Sequence, residues 1–159
     1  MIDASVPVVV GPGEGTTIDG PVGGPLTYKA RAEQTNGRLT AFEVVVGPGD
    51  GPPLHTHASE DEAWYVLDGE LRFRLGADIH TVTTGSFILA PRGVAHSFEN
   101  SDEKPARLLT LFTPSGMERF FDRFAAVAHS SADQEAFARI GAETGMEVVG
   151  PPLSESHPR

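Results

Sequence analysis

The sequence contains no cysteine. Disulfide staples and thiolate metal ligands are both excluded, and the absence is compatible with a reducing compartment. Positive charge is scarce as well. Twelve Lys and Arg stand against twenty-two Asp and Glu, for a formal charge of −10 and a pI near 4.9. The basic residues are scattered, so no patch exists to neutralise nucleic-acid phosphates or to hold an anionic membrane surface. No apolar run reaches the length of a transmembrane helix. The first ten residues, Met1-Ile-Asp-Ala-Ser-Val-Pro-Val-Val-Val10, carry an acid where a signal peptide needs a base. These absences predict a cytoplasmic protein whose partners are neither nucleic acid nor membrane.

Turn-forming residues, by contrast, are abundant. Eighteen glycines and thirteen prolines in 159 residues are too many for a helical bundle and suit short strands joined by tight turns. The length predicts a single domain over residues 1–159, without internal repeats.

The chemistry concentrates between Gly49 and Asn100. His55 and His57 are two apart, so on a strand both imidazoles project from one face. Glu62 opens the next apolar run, and parity puts Trp64 and Val66 on its face. His96 follows the turn signal Pro91-Arg-Gly93, and Phe98 shares the face of His96. Three imidazoles and one carboxylate suit a divalent first-row transition metal: nickel, iron, manganese, copper, cobalt or zinc. Trp64 and Phe98 are read as apolar walls of a substrate pocket, and Val66 as core. His80, His129 and His157 are read as ordinary histidines with no site role.

The same residues resemble the cupin superfamily. Gly49, His55, His57, Glu62 and Gly69 satisfy every spacing of its first motif, and Gly85, Pro91, Gly93, His96 and Asn100 every spacing of its second. The resemblance implies an all-β fold, an antiparallel double-sheet jelly-roll barrel with its core at about residues 26–113. A C-terminal helical extension follows at about 115–145. It also implies that His55, His57, Glu62 and His96 converge inside the barrel near one mouth, and that two copies pair through an exposed sheet as a homodimer. Thr113-Pro114-Ser-Gly116 and Gly150-Pro-Pro-Leu153 further resemble small single-domain (monocupin) proteins of the quercetin-dioxygenase-like group. In such relatives the glutamate takes the substrate hydroxyl proton, which makes Glu62 the expected catalytic residue. The function implied is a metal-dependent dioxygenase acting on a small, aromatic, enolisable substrate such as a flavonol. The alternatives are a non-catalytic module that binds or senses a small molecule or metal, and a metal-dependent isomerase or cyclase.

Periodicity and turn residues predict the flanking elements. Val6 to Val10 reads as an edge strand and Gly11 to Pro25 as a loop; strands follow at Leu26 to Ala30 and Leu39 to Val46. Asp68-Gly69 reads as a hairpin turn, with Leu71, Phe73 and Leu75 inward and Arg72 and Arg74 on a solvated face. Asp78 to Val82 and Ser86 to Ala90 are expected to form the next hairpin, and Ala106 to Thr113 a central strand. A helix opens near Pro114, with Ser115 and Glu118 at capping-box spacing and the stripe Phe120, Phe121, Phe124 and Val127 set against the barrel. A second helix is expected from Ala132 to Glu143, with Ser131 and Gln134 at capping-box spacing. Met146 to Leu153 reads as extended, and Ser154 to Arg159 is expected to fray.

Overall fold

The structure is a computed structural model that describes residues 6–128 and 133–159. Two antiparallel sheets face each other. The first holds β1 (Thr16–Asp19), β2 (Pro25–Ala30), β3 (Thr40–Val46), β10 (Ala106–Thr113), β5 (Asp61–Asp68) and β8 (Phe87–Ala90), in that spatial order. The second holds β11 (Met146–Pro152), β4 (Pro53–His57), β9 (His96–Asn100), β6 (Glu70–Leu75) and β7 (Asp78–Thr83). Among the described residues no ladder joins the two sheets, so the jelly roll is a stacked pair rather than a closed cylinder. Among the described residues there are four helices: α1 (Ala32–Thr35), α2 (Glu118–Val127), α3 (Gln134–Glu143) and α4 (Leu153–Ser156). No helix of the described residues is long and apolar enough to cross a membrane.

The core lies between the sheets. Leu26, Phe42, Val44, Leu108 and Phe112 point inward from the first, and Leu71, Phe73 and Phe98 from the second. Alternation along each strand produces this division, and each such side chain contributes roughly 1.5–3 kcal/mol on burial. Ala106–Thr113 is the central strand expected, paired with β3 on one side and β5 on the other.

Two expected hairpins are corrected. Asp68-Gly69 does not join paired strands: it carries the chain from β5 in one sheet to β6 in the other. Gly69 turns that corner at φ 104°, and a Cβ there would lie 2.8 Å from the Cβ of Ala106. The hairpin of this region is β6–β7, paired through Leu71↔Val82 and Phe73↔His80. β7 and β8 likewise belong to opposite sheets. A turn residue signals reversal, but not whether the next strand stays in the same layer.

The N-terminal reading also changes. Val6 to Val10 forms no strand, and Val6 and Val9 are 68% and 98% exposed. The first strand lies inside the glycine-rich passage, where the β-branched Thr16, Thr17 and Ile18 pair with Tyr28, Thr27 and Leu26.

In α2, Phe120, Phe121 and Phe124 are buried as expected, but Val127 is 50% exposed at the last residue of the helix. Phe120 and Phe124 pack on Phe137 of α3, with ring centroids 4.8 Å and 5.7 Å apart. No capping box forms at Ser115: Met117 is the N-cap, and Glu118 turns inward to accept from the Thr40 hydroxyl at 2.5 Å. Ser131 and His129 lie outside the described residues, and α3 is capped instead by Asp133, which accepts from Ala136 N at 3.0 Å. The last residues do not fray. Leu153 is buried, and Arg72 donates to the His157 carbonyl at 2.6 Å while pairing with Glu99 at 2.9 Å. Arg72 is therefore engaged rather than solvated. Arg74 bonds the Gly76 carbonyl.

Candidate metal centre

The four residues singled out by spacing come together. One ligand atom from each of His55, His57, Glu62 and His96 lies within 4.8 Å of all the others, and all four residues are buried. Inward parity on β4 presents His55 and His57, while the surface-facing Thr56 between them is only partly buried. Glu62 is the second residue of β5, and His96 opens β9 directly opposite His55.

Local bonds hold these three segments in place. Gly93 N donates to the His57 carbonyl at 2.8 Å, and its φ of 82° is a left-handed turn that glycine adopts without strain. Arg92 N donates to Asp61 Oδ1 at 2.9 Å, which ties the turn before His96 to the start of the Glu62 strand. At the entry to β4, a Cβ on Gly51 would lie 1.8 Å from the Phe98 carbonyl oxygen, so only glycine lets the two chains approach there.

The hydrogen bonds assign the ring tautomers. His55 Nδ1 donates to the Pro53 carbonyl at 2.8 Å and His96 Nδ1 to the Val94 carbonyl at 2.9 Å. Carbonyls only accept, so both rings keep the Nε2 lone pair for a ligand when neutral. Glu62 Oε2 lies 2.8 Å from His96 Nε2 and 2.9 Å from His57 Nε2. Lone-pair nitrogens around a carboxylate oxygen need a proton or a cation among them. His57 Nδ1 is buried with no partner among the described residues. A donor set of nitrogens and oxygens at this spacing fits a divalent first-row ion.

Electrostatics follow from burial and proximity. Burial, with the charges of His96 and His57, pushes the His55 imidazole down to about 3. Burial alone would raise the Glu62 carboxyl, but hydrogen bonds from His57 and His96 outweigh it and hold it at about 2. For His96 burial acts to lower the pKa, and Glu62 overrides it and raises it.

The cluster opens onto a cavity of about 40 Å³. Trp64 and Phe98 line it; Val66 is fully buried core and does not. The Trp64 ring lies 5.3 Å from that of His96, and Phe98 stacks on Phe73. Phe120 and Phe121 of α2 and Phe137 of α3 line it too, so the helices that pack the core also wall the cavity. Sequence patterning marks that stripe as apolar and cannot say which end of the sheets it covers. Two polar groups were not signalled either. Thr110 on β10 lines the cavity, and its buried hydroxyl has no partner among the described residues. Glu60, in the turn before β5, is buried with no partner for Oε2 among the described residues, and desolvation raises its carboxyl. His80 and His157 lie away from the cluster.

A stacked pair of antiparallel sheets with a three-histidine, one-glutamate cluster between them defines a jelly roll with a candidate metal site. Residues 42–112 match the family model of the cupin domain, Cupin_2. An uncharacterised protein of Streptomyces coelicolor is 34% identical over 87 residues, which cover 55% of this chain and 79% of that one. The chain belongs to the cupin superfamily. Mannose-1-phosphate guanylyltransferase 2 of Escherichia coli O157:H7 is 36% identical over 72 residues; that match covers 45% of this chain and 15% of the enzyme. Among solved structures, a predicted oxalate decarboxylase from Thermotoga maritima superposes with a TM-score of 0.61 at 23% identity, covering 67% of this chain and 98% of that one. At that identity the likeness is one of fold.

Proposed function

We propose that this protein is a metal-dependent oxidoreductase, a dioxygenase that acts on a small, aromatic, enolisable substrate such as a flavonol. The observation that carries the reading is the pairing of the His55, His57, Glu62 and His96 cluster with a cavity walled mainly by rings and aliphatic side chains. Among the described residues, no lysine or arginine lines that cavity. A small dianion such as oxalate would therefore bring its charge into an apolar space with only the metal to offset it. A flat neutral substrate meets Trp64 and Phe98 without that cost.

The four residues would hold one divalent ion, nickel, iron, manganese, copper, cobalt or zinc, with supply as much as ligand type deciding which. Bound there, such an ion supplies Lewis acidity and, where redox-active, electrons for oxygen chemistry. The chain's own part is positional. Glu62 takes the proton of the substrate hydroxyl, as in the quercetinase-like relatives that the motifs resemble. Phe120, Phe121 and Phe137 keep bulk water from the reacting atoms. The same reading extends to assembly: Tyr65, Phe87 and Leu89 are exposed apolar residues on β5 and the edge strand β8, a face that a second copy would cover.

Elemental analysis of untagged protein, followed by oxygen-uptake assays with flavonols and other enolisable compounds, tests the proposal. Uptake that tracks metal content supports it. Metal without turnover of any such compound replaces it with a binding module.

A further inference from the structure

We infer that Thr110 is the residue by which the cavity recognises a single neutral oxygen on an otherwise apolar occupant, making it a specificity-determining residue of this site.

The argument begins with the cost of the hydroxyl. Leu108, Thr110 and Phe112 alternate along β10, the central strand of the larger sheet, and all three face inward and are at most 1% exposed. Apolar side chains hold the positions on either side. Across the ladders, Thr110 stands opposite Trp64 on β5 and Phe42 on β3. Valine would fill the same volume with no polar atom to desolvate. A buried hydroxyl without a partner costs roughly 1–3 kcal/mol, and Thr110 Oγ1 has none among the described residues. It lines the cavity that also holds His55, His57 and Glu62. Among the described residues lining that space, the candidate metal ligands and the Trp64 indole N–H apart, it is the only polar side chain and the only one that can both donate and accept. One hydroxyl in an apolar wall can donate one hydrogen bond and cannot offset a charge. The occupant it fits is a small, flat, neutral molecule with a carbonyl, ether or hydroxyl oxygen turned away from the metal. Anions and polyols are poorly served by the same wall.

This rests on the cavity being the substrate site of the proposed function, and the test separates the two. Metal-loaded wild type, Thr110→Val and Thr110→Ser are titrated with 4-fluoroacetophenone and with 1-ethyl-4-fluorobenzene, which lacks the oxygen, and binding is read by fluorine NMR. Wild type should favour the ketone by about fivefold or more, the valine variant should lose that preference, and the serine variant should keep it. In the absence of any probe, Thr110→Val should melt at the same temperature as wild type or higher, since it removes an unpaired buried hydroxyl. A preference unchanged in the valine variant overturns the inference, as does a melting temperature lowered by several degrees, which would give the hydroxyl a structural partner. Failure of both probes to enter overturns the proposed class of occupant. Success here with no flavonol turnover leaves Thr110 assigned and removes only the dioxygenase.

Discussion

His55 and His96 stand directly opposite each other where β4 meets β9, with imidazole centroids 4.4 Å apart. Among the described residues that is the one register pair between these strands. The smaller sheet is thus thinly laddered at the place where two candidate ligands face one another. An ion shared by the two rings would join the strands where backbone pairing is sparse.

Metal loading should therefore raise thermal stability as well as fill the site. About one equivalent per chain is expected, with a melting temperature that rises with free metal concentration as ligand linkage requires. His96→Ala should lose most of the metal and that rise while keeping the β circular-dichroism signature. Wild type that takes up no ion after exposure to several would undo the assignment of His55, His57, Glu62 and His96.

Glu62 separates ligand from base. Glu62→Gln keeps the shape but cannot accept a proton, and loss of a general base costs about 10²–10⁴ in rate. At matched metal content the variant should still bind an enolisable substrate yet turn it over at least about a hundredfold more slowly. Unchanged turnover under that condition would leave Glu62 as a ligand only.

The α2 stripe gives a graded stability test. Phe124 is 2% exposed against Phe137, so Phe124→Ala should cost about 3–5 kcal/mol in chemical denaturation. Val127 is 50% exposed, and Val127→Ala should stay within about 0.5 kcal/mol. Equal costs at the two positions would mean that the burial gradient along this helix is wrong.

Asp122 predicts an acid-dependent contribution. Its carboxylate accepts from Tyr28 at 2.8 Å and from Arg31 at 2.6 Å, pinning α2 to the β2 region. Burial would raise its pKa, but these bonds outweigh it and hold the carboxyl below the ordinary aspartate value of 3.8. A depressed folded pKa stabilises above the unfolded value and loses that contribution as pH falls through the folded one. The melting-temperature gap between wild type and Asp122→Asn should be full at neutral pH and shrink as the pH falls below about 4. A gap independent of pH would remove the ionised pair from the stability of α2.

The four cluster residues were legible because their spacing is local: parity on one strand places His55 with His57, and turn residues deliver Glu62 and His96. Pocket walls Trp64 and Phe98 follow from the same parity. What escaped depends on contacts far apart in sequence. Whether Asp68-Gly69 returns the chain beside β5 or across to the facing sheet is decided by packing between layers, which no local pattern encodes. Thr16 to Ile18 carried a strand signal of β-branched residues, masked by the surrounding glycines. Thr110 reads as an ordinary strand residue, and only its neighbours on β3 and β5 show that its hydroxyl is alone. Ser115 and Glu118 had the right spacing for a cap, but Thr40, far back in the chain, claims the glutamate.

The pairing of β11 with β4 sets an order of assembly. His57 lies opposite Met146 and His55 opposite Val148, so the strand bearing two candidate ligands gains its outer neighbour from a segment synthesised much later. While the chain emerges from a ribosome, β4 must wait with one edge open, and contacts this distant in sequence form slowly. A version cut before Met146 would keep every candidate ligand yet expose that edge permanently. Its histidine strand would then be free to pair with another molecule, and self-association of such a fragment would come from its backbone rather than from its metal.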